Sequence, residues 1–446
     1  MFNSYISFFS SMRKVFLFII MCVASIAAMA QSEIAQQQLA ANHNSSGSNH
    51  YAYPYPAQGL PKLTPAPAGY EPFFINHYGR HGSRWLTKES SYQRPVAALE
   101  QFKKLNYLTK EGEVLLDILR KVEIEAKGRT GDLSDVGAEQ HQGIARRMCE
   151  NFPEVFSGDA RIDARSTVWF RCILSMGNET AEIRAFNPKA KITTDASYHD
   201  MYYMGWGYGE DTLANPQRKA IRHISDSIFD ARINSTRFLR QILNSDCFKQ
   251  ANLKGSEKLM EDVFDIAGSL QNHHAFDGIN LFKFFTDEEI YELWKVKNIY
   301  WYLQWANSPQ GGNRMPFIER ALLNNMIETA DNAITDRDHH GAALRFGHET
   351  CVLPLACLLE LDNVNYSCDD LNTLHEHWRN YEIFPMGCNI QMVFYRNASN
   401  DILVKVLLNE HEATLPFHTT QFPYYRWDDI KPYYVEKLKT TINWPK

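Results

Sequence analysis

Cysteine is scarce in this sequence, and no two cysteines form a C-x-x-C pair. Only 8 of the 446 residues are cysteine, and Cys22 lies in the apolar stretch near the start of the chain. The remaining cysteines are odd in number, so at least one thiol has no intramolecular disulfide partner in an oxidising compartment. A fold built on a disulfide framework is therefore excluded, while one or two disulfides stay open.

An excess of basic residues is also missing. The chain has 46 Lys and Arg against 52 Asp and Glu, a formal net charge of −6. Proteins that bind nucleic acid usually present a clustered basic face, so nucleic acid is not expected as a partner. An anionic small molecule would have to be bound by arginines placed locally.

Several familiar cofactor and nucleophile motifs are absent. There is no G-x-S-x-G and no Walker A sequence, and the glycines of 205–209 lack dinucleotide-binding spacing. The adjacent pairs His273-His274 and His339-His340 cannot both point at one ion as an H-x-x-x-H helix can. We therefore expect neither a metal ion nor an organic cofactor.

The main apolar run, from Val15 to Ala28, is too short to span a bilayer, which takes about 20 residues. Arg13 and Lys14 precede it, and a small-residue cleavage site at 28–30 follows. This pattern predicts a signal peptide over residues 1–30 and a periplasmic or secreted protein without a membrane span. A retained membrane anchor is the alternative.

Composition and periodicity divide the rest of the chain into three parts. Residues 31–69 have no sustained apolar period and are predicted to be a linker and extended segment without chemistry. Residues 70–185 and 337–446 are predicted to form an α/β core. Residues 186–336 are predicted to be a mainly helical inserted cap, and a capping box at Thr286 and Glu289 marks its clearest helix.

The most informative segment is Asn76–Arg84, which follows an aromatic-rich strand and sets His81 between two arginines. The guanidinium groups of Arg80 and Arg84 can each donate two parallel hydrogen bonds to phosphate oxygens. Glycine on either side lets the backbone turn sharply near a ligand. His81 is therefore a candidate nucleophile toward phosphate, although a solvated loop could carry the same short motif by chance.

Two further segments have the pattern of a strand, a turn and a helix, and each carries reactive side chains after its strand. In the first, Arg161–Ser166 is a predicted strand, Thr167 a helix N-cap, and Arg171 lies in the first turns of the helix. In the second, residues 342–346 are a predicted strand that leads to His348 and Glu349. Because ligands of open α/β sheets bind beyond the carboxyl ends of strands, these side chains are expected to share one site.

Proline affects where the helix after Glu349 is expected to begin. Pro354 is tolerated in a first turn but not in a helix interior. Regular helix is therefore predicted to begin near Val352, which would leave His348 and Glu349 just before it.

These segments resemble the signatures of the histidine acid phosphatases, a branch of the histidine phosphatase superfamily with R-H-G-x-R early and H-D or H-A-E late. Leu133–His141 is similar to the family's L-T-x-x-G-x-x-Q segment, and Arg165–Thr167 with Arg171 to its third phosphate-binding arginine. Phe346–Thr350 followed by Leu353–Leu355 is most similar to multiple inositol polyphosphate phosphatases and bacterial phytases. The resemblance implies a phosphoglycerate-mutase-like three-layer α/β core with a helical cap.

The resemblance also implies a metal-independent acid phosphomonoesterase, with inositol polyphosphates such as phytate as substrate. His81 would attack phosphorus and form a phosphohistidine. Arg80, Arg84, Arg171 and His348 would hold the equatorial phosphate oxygens. Cations around His81 should lower its pKa and keep the imidazole nucleophilic in mildly acidic solution.

Glu349 is the candidate general acid, but the acid position departs from the family pattern. Glu349 directly follows His348, where the H-D pattern has aspartate, whereas alignment with H-A-E without a gap puts Thr350 at the glutamate position. Leu86 also replaces a proline that commonly follows R-H-G-x-R. The proton donor is therefore less firmly assigned than the nucleophile.

Other functions fit the same residues. A broad-specificity phosphatase of sugar phosphates and other phosphomonoesters is one alternative, and a catalytically silent phosphate-binding protein on the same fold is another. A mutase-like transferase is disfavoured because Thr87 stands where that group prefers asparagine. Lys127 and Arg129 could bind extra substrate phosphates or form a solvated basic loop.

Overall fold

The computed structural model describes residues 34–55, 59–205, 207–208, 215–250 and 257–443. The predicted signal peptide, residues 1–30, lies outside this part of the chain. Within the described residues, no helix has both the length and the apolar character needed to cross a bilayer.

One mixed β-sheet organises the molecule. Its eight strands are β1 (Glu71–Arg80), β2 (Arg161–Ser166), β3 (Lys191–Asp195), β4 (Gly341–Gly347), β5 (Asn389–Arg396), β6 (Ile402–Leu408), β7 (His411–Glu412) and β8 (Tyr425–Arg426). The strand order is β3-β2-β4-β1-β5-β6-β7, and β8 pairs with β6. Strands β1 to β4 run parallel, and β5 to β8 add an antiparallel side.

Helices account for most of the remaining structure. They are 34–41, Ser90–Lys104, Lys110–Ala126, Asp135–Asn151, Pro153–Phe156, Phe170–Phe186, Met201–Met204, Asn215–Arg232, Thr236–Ile242, Ser245–Gln250, Glu257–Ser269, Asp287–Trp305, Arg320–Thr335, Glu349–Leu359, Leu374–His377, Asn380–Ile383 and Trp427–Leu438. Short 3-10 helices, among them His43–His50 and Met315–Glu319, connect them.

The sheet is covered on both faces, as the three-layer fold requires. Alternate side chains of a strand point to opposite faces. Ile75 of β1 therefore joins a cluster with the helices Asp135–Asn151 and Phe170–Phe186. Its neighbours Phe74 and Tyr78 join a second cluster with helices that follow residue 320. The predicted α/β class and three-layer core are confirmed.

A third hydrophobic cluster is helical. It draws on Ser90–Lys104 and Lys110–Ala126 as well as on helices between residues 233 and 296. Trp85 and Leu86, which directly follow the R-H-G-S-R segment, are buried in it. The loop that carries the reactive histidine is therefore anchored in the helical layer as well as in the sheet.

Two predicted helix starts are wrong in detail. Thr167 does not cap the helix Phe170–Phe186, whose N-cap is Trp169. The helix Glu349–Leu359 begins at Glu349 and includes Pro354. The expected capping box of Thr286 and Glu289 is confirmed at the start of Asp287–Trp305.

All seven cysteines in the described residues are buried and free. Burial raises the pKa of Cys149 and of Cys357 to about 12, so both thiols stay protonated at neutral pH. The disulfides left open by the sequence are not formed among these residues.

Glu319 is a buried carboxyl group behind the helix Glu349–Leu359. Its Oε1 atom has no hydrogen-bond partner, and the group has a side-chain hydrogen bond with Cys351. Burial raises its pKa from 4.5 to about 8. The folded state therefore holds a proton that the unfolded chain releases, and stability falls as pH rises between these two values.

Replacing Glu319 by glutamine is expected to remove this pH dependence, because an amide stays neutral. The gain in the free energy of unfolding over wild type should be near zero at about pH 5 and rise to a few kcal/mol at about pH 8. Urea unfolding at the two pH values measures it. Glu328→Gln, an exposed position nearby, is the control. A gain independent of pH would contradict the prediction.

Candidate active site

The carboxyl ends of three parallel strands meet at one edge of the sheet. Arg80, the last residue of β1, pairs with Gly347, the last residue of β4. Ser166, at the end of β2, pairs with Phe346. The chain leaves each strand at the same level, and the His81 amide donates to the Gly347 carbonyl oxygen at 2.9 Å. The loops after β1, β2 and β4 therefore surround one space.

His81 lies buried at the centre of this edge. Its Nδ1 is 2.9 Å from the Gly82 carbonyl oxygen. A carbonyl can only accept, so Nδ1 carries the proton and Nε2 keeps its lone pair. The Nε2 atom lies 4.0 Å from a Glu349 carboxylate oxygen, and the rings of His81 and His348 are 5.5 Å apart. Nε2 is thus the reactive atom of the imidazole.

The environment keeps His81 neutral. Burial lowers its pKa well below the ordinary value, and the positive charges of Arg171, Arg80 and Arg84 lower it further. Both causes oppose a proton on Nε2. The imidazole is therefore available as a nucleophile in acidic solution.

The guanidinium group of Arg80 is buried and held on several sides. It donates to the carbonyl oxygens of Phe384 at 3.0 Å and Asn49 at 2.8 Å, and it forms an ion pair with Glu349 at 3.1 Å. These contacts fix the plane of the guanidinium before any ligand binds.

The three arginines near His81 have unused donors. The Nε atoms of Arg80, Arg84 and Arg171 are buried and have no hydrogen-bond partner. A buried donor without an acceptor costs about 1–3 kcal/mol. A ligand rich in acceptor oxygens, such as a phosphate group, relieves this cost. Arg171 also lies over the ring of Trp169, which limits where its guanidinium can point.

Close backbone packing explains the glycines of the R-H-G-S-R loop and of Leu133–His141. A Cβ atom at Gly82 would lie 2.4 Å from the Gly137 carbonyl oxygen, and one at Gly137 would lie 2.2 Å from the Ser83 carbonyl oxygen. Gln140 adds hydrogen bonds to the Ser83 amide and hydroxyl, both at 2.8 Å. The segment singled out in the sequence thus holds the nucleophile loop in place.

His348 caps the helix Glu349–Leu359 without a side-chain hydrogen bond to its first turn. The positive end of that helix dipole therefore points toward the site and favours an anion there. Burial, and next the charge of Arg171, lower the pKa of His348 to about 3. A neutral His348 can donate one hydrogen bond to a phosphate oxygen.

Glu349 is buried beside the arginines. Burial alone would raise the pKa of this carboxyl group, but Arg80 and Arg84 outweigh it and lower the pKa to about 2. With these arginines beside it, the side chain is ionised. Thr350, the residue at the acid position in an alignment without a gap, has no titratable group.

His81, His348 and Glu349 are close enough to share a metal ion, since their ligand atoms lie within 4.8 Å of one another. Three guanidinium groups surround them and oppose a cation at this point. The charge of the site instead suits a phosphate group.

Two residues of the N-terminal segment also reach the site, although the sequence suggested a linker. The Asn49 amide lies 3.4 Å from Glu349 Oε1. His50 is close enough to Arg84 and Arg80 that their charges, after burial, lower its pKa well below its usual range. The Ser- and Asn-rich composition of this segment gave no sign of such a role.

The structure thus brings together all six residues predicted from the sequence. His81, His348 and Glu349 form the centre, and Arg80, Arg84 and Arg171 surround them. Arg129 lies over the ring of Trp85 instead and approaches Asp132 at 3.9 Å.

Comparisons with known proteins agree with this geometry. The model of the histidine phosphatase superfamily (branch 2) matches residues 214–409. The multiple inositol polyphosphate phosphatase of Bifidobacterium longum, solved with inositol hexasulfate, superposes with a TM-score of 0.70 at 17% identity, over 87% of this chain and 97% of its own. The phytase of D. castellii superposes with a TM-score of 0.65 at 18% identity, over 89% of this chain and 86% of its own. No curated protein sequence matches the chain.

The family model over residues 214–409 and the shared fold confirm the resemblance to branch 2 of the histidine phosphatase superfamily that was read from the sequence. Together with the grouping of these residues, they support a phosphatase activity.

Proposed function

We propose that the chain is a metal-independent acid phosphomonoesterase that forms a phosphohistidine at His81 and acts on inositol polyphosphates such as phytate. The observation that carries the proposal is a neutral, buried imidazole with a free Nε2 inside a ring of three guanidinium groups. The sequence start further suggests a signal peptide over residues 1–30 and a periplasmic or secreted enzyme.

In the first chemical step, Nε2 of His81 forms a bond to phosphorus while the bond to the leaving alcohol oxygen breaks. Arg80, Arg84 and Arg171 stabilise the equatorial oxygens as charge redistributes in a loose transition state. The proton stays on Nδ1, which donates a hydrogen bond to the Gly82 carbonyl oxygen, and this contact keeps the ring oriented. The product of this step is a phosphohistidine and an alcohol.

The alcohol needs a proton, and Glu349 is placed to supply it. A bound phosphate brings negative charge into the site and offsets the arginines that lower the carboxyl pKa, so Glu349 gains a proton as substrate binds. After donating it to the alcohol oxygen, the carboxylate accepts a proton from the water that attacks phosphorus. The bond between phosphorus and Nε2 breaks, which leaves inorganic phosphate and neutral His81. Glu349 releases its proton when the phosphate leaves, and the cycle closes.

The proposed substrate class is supported by the two superposed enzymes and by cationic side chains near the site. The two superposed enzymes are named for inositol polyphosphate and phytate hydrolysis. His50 adds a side chain beside Arg84 and Lys297. Neighbouring donors of this kind suit a substrate with several phosphates.

The proposal is tested by phosphate release from phytate and from glucose 6-phosphate, both in the presence of EDTA. A specificity constant for phytate at least about tenfold above that for the sugar phosphate supports the inositol polyphosphate assignment. Similar constants would instead indicate a broad-specificity phosphatase. If neither substrate is turned over, the chain would be a phosphate-binding protein without catalytic activity.

Glu349→Gln is expected to separate substrates by their leaving groups, because glutamine keeps the shape but cannot donate the proton. The first-turnover rate should fall about 100-fold for glycerol 2-phosphate and change little for p-nitrophenyl phosphate, whose leaving group needs no proton. Rapid-quench kinetics measure both rates, and Thr350→Val serves as the comparison. Full activity on glycerol 2-phosphate would refute the assignment of Glu349.

A further inference from the structure

The 3-10 segment His43–His50 forms one wall of the active site. At its end, the Asn49 carbonyl oxygen accepts a hydrogen bond from Arg80 Nη2 at 2.8 Å. The Asn49 side-chain amide lies 3.4 Å from Glu349 Oε1, and the other carboxylate oxygen lies 4.0 Å from the reactive nitrogen of His81. One residue thus contacts both members of the Arg80–Glu349 ion pair.

The backbone just before Asn49 is strained. Ser48 has φ 58° and ψ −120°, a conformation that suits glycine and is costly for serine. The residue is completely buried, and its hydroxyl accepts a hydrogen bond from the Asn380 amide at 2.7 Å. Strain of about 1–3 kcal/mol persists only where the surroundings impose it, and such positions cluster at functional sites.

Neighbouring contacts hold this wall rigidly against the helical layer. Gly47 packs so closely on Gly268 that a Cβ atom at Gly268 would lie 2.8 Å from the Gly47 Cα. The Asn272 amide donates to the His50 carbonyl oxygen at 2.8 Å, and its own oxygen accepts from the Ser83 hydroxyl at 2.6 Å. The segment is therefore tied to the loop that carries the nucleophile.

We propose that Asn49 is a positioning residue for proton transfer: its side-chain amide holds the Glu349 carboxyl group in reach of the leaving oxygen. This inference rests on the proposed function of Glu349. Nothing in residue type or spacing pointed to Asn49, which lies about 300 positions earlier in the chain.

An amide suits this task because Glu349 alternates between carboxylate and carboxylic acid during each cycle. The NH2 group of Asn49 donates to the carboxylate, and the amide oxygen accepts from the carboxylic acid after rotation of the side chain. Alanine offers neither contact, and aspartate offers only acceptors.

Asn49→Ala is expected to slow the first turnover of glycerol 2-phosphate about tenfold and that of p-nitrophenyl phosphate less than about twofold. Inhibition by inorganic phosphate should not change, because the backbone contact to Arg80 remains. In a Glu349→Gln background, the same substitution should have no further effect on glycerol 2-phosphate. Asn44→Ala, an exposed position in the same segment, is the matched control.

Asn49→Asp gives a second, independent readout. A carboxylate beside Glu349 raises its pKa, so the limb of the pH profile governed by Glu349 should move to higher pH. None of the other charged or titratable groups that face Glu349 is altered in this variant; they are Arg80, Arg84, His81, His348, His50, Cys172 and Cys388. A structural defect alone would lower the rate without shifting the profile.

Three results would overturn the inference: equal losses on both substrates, no loss on either, or full additivity of Asn49→Ala with Glu349→Gln. Thermal melts of each variant identify unfolding. If Glu349→Gln itself leaves glycerol 2-phosphate turnover unchanged, the proposed role of Glu349 is wrong. If that variant is slow and Asn49→Ala is not, only the proposed role of Asn49 is wrong.

Discussion

Replacing His81 by alanine is expected to lower kcat for every phosphomonoester by roughly 10⁴-fold or more, because the variant has no atom that can take the phosphoryl group. The arginines remain, so inorganic phosphate should still bind. Steady-state phosphate release gives kcat, and labelled substrate followed by quenching in alkali should trap a phosphohistidine in the wild type and none in the variant.

His418→Ala is a suitable control for this experiment, since His418 is exposed and lies in a different cavity from the site. It should retain full activity and the phosphohistidine label. Label on another residue in the His81→Ala protein, or turnover within tenfold of wild type, would contradict the nucleophile assignment.

Arg80→Lys is the second substitution with a large expected effect, although it preserves the charge. Lysine cannot reproduce the planar set of donors that reaches Phe384, Asn49 and Glu349 together. We expect kcat/KM to fall about 100- to 1000-fold, in the range seen when a transition-state donor is removed. The measurement is kcat/KM for the same substrates across a range of pH.

The pH profile of Arg80→Lys tests the electrostatic part of the argument. Among the groups that lower the Glu349 pKa to about 2, Arg80 has the largest effect, so a weaker pairing should move that pKa upward. Arg146→Lys, an exposed pair with Glu182, is the control for the same exchange. An unchanged profile together with unchanged kcat/KM would show that Arg80 has a role in folding alone.

Much of the fold was predictable because short segments carried a complete local signal. The buried strand predicted over 342–346 is found at Gly341–Gly347. The strand predicted over Arg161–Ser166 is found as β2 with the same bounds. Alternating or continuous apolar residues bounded by turn residues determine such strands with little help from the rest of the chain.

The errors arose where tertiary packing overrode local preference. Pro354 lacks an amide hydrogen and should oppose a helix interior. Yet the helix Glu349–Leu359 continues through it, because both sides of this helix are buried in apolar contacts. Trp169, a weak capping residue, replaces Thr167 at the neighbouring helix start, since β2 ends before it.

For the site residues, too, local sequence signals allowed prediction, whereas contacts made by tertiary packing did not. Motif spacing indicated the six reactive residues, because each lies at the end of a strand or a few residues after it. Asn49 could not be predicted in this way, since its segment has no apolar pattern and follows no strand in the described part of the chain. Contacts between residues so far apart in sequence come from the folded chain as a whole.

The ion pair between Arg80 and Glu349 has a consequence for the end of the catalytic cycle. The carboxylate takes the place of the departing anion beside Arg80, so part of the positive charge of the site is compensated as soon as inorganic phosphate leaves. Product release is therefore expected to be easier, and inhibition by accumulated phosphate weaker, than in a site without this carboxylate.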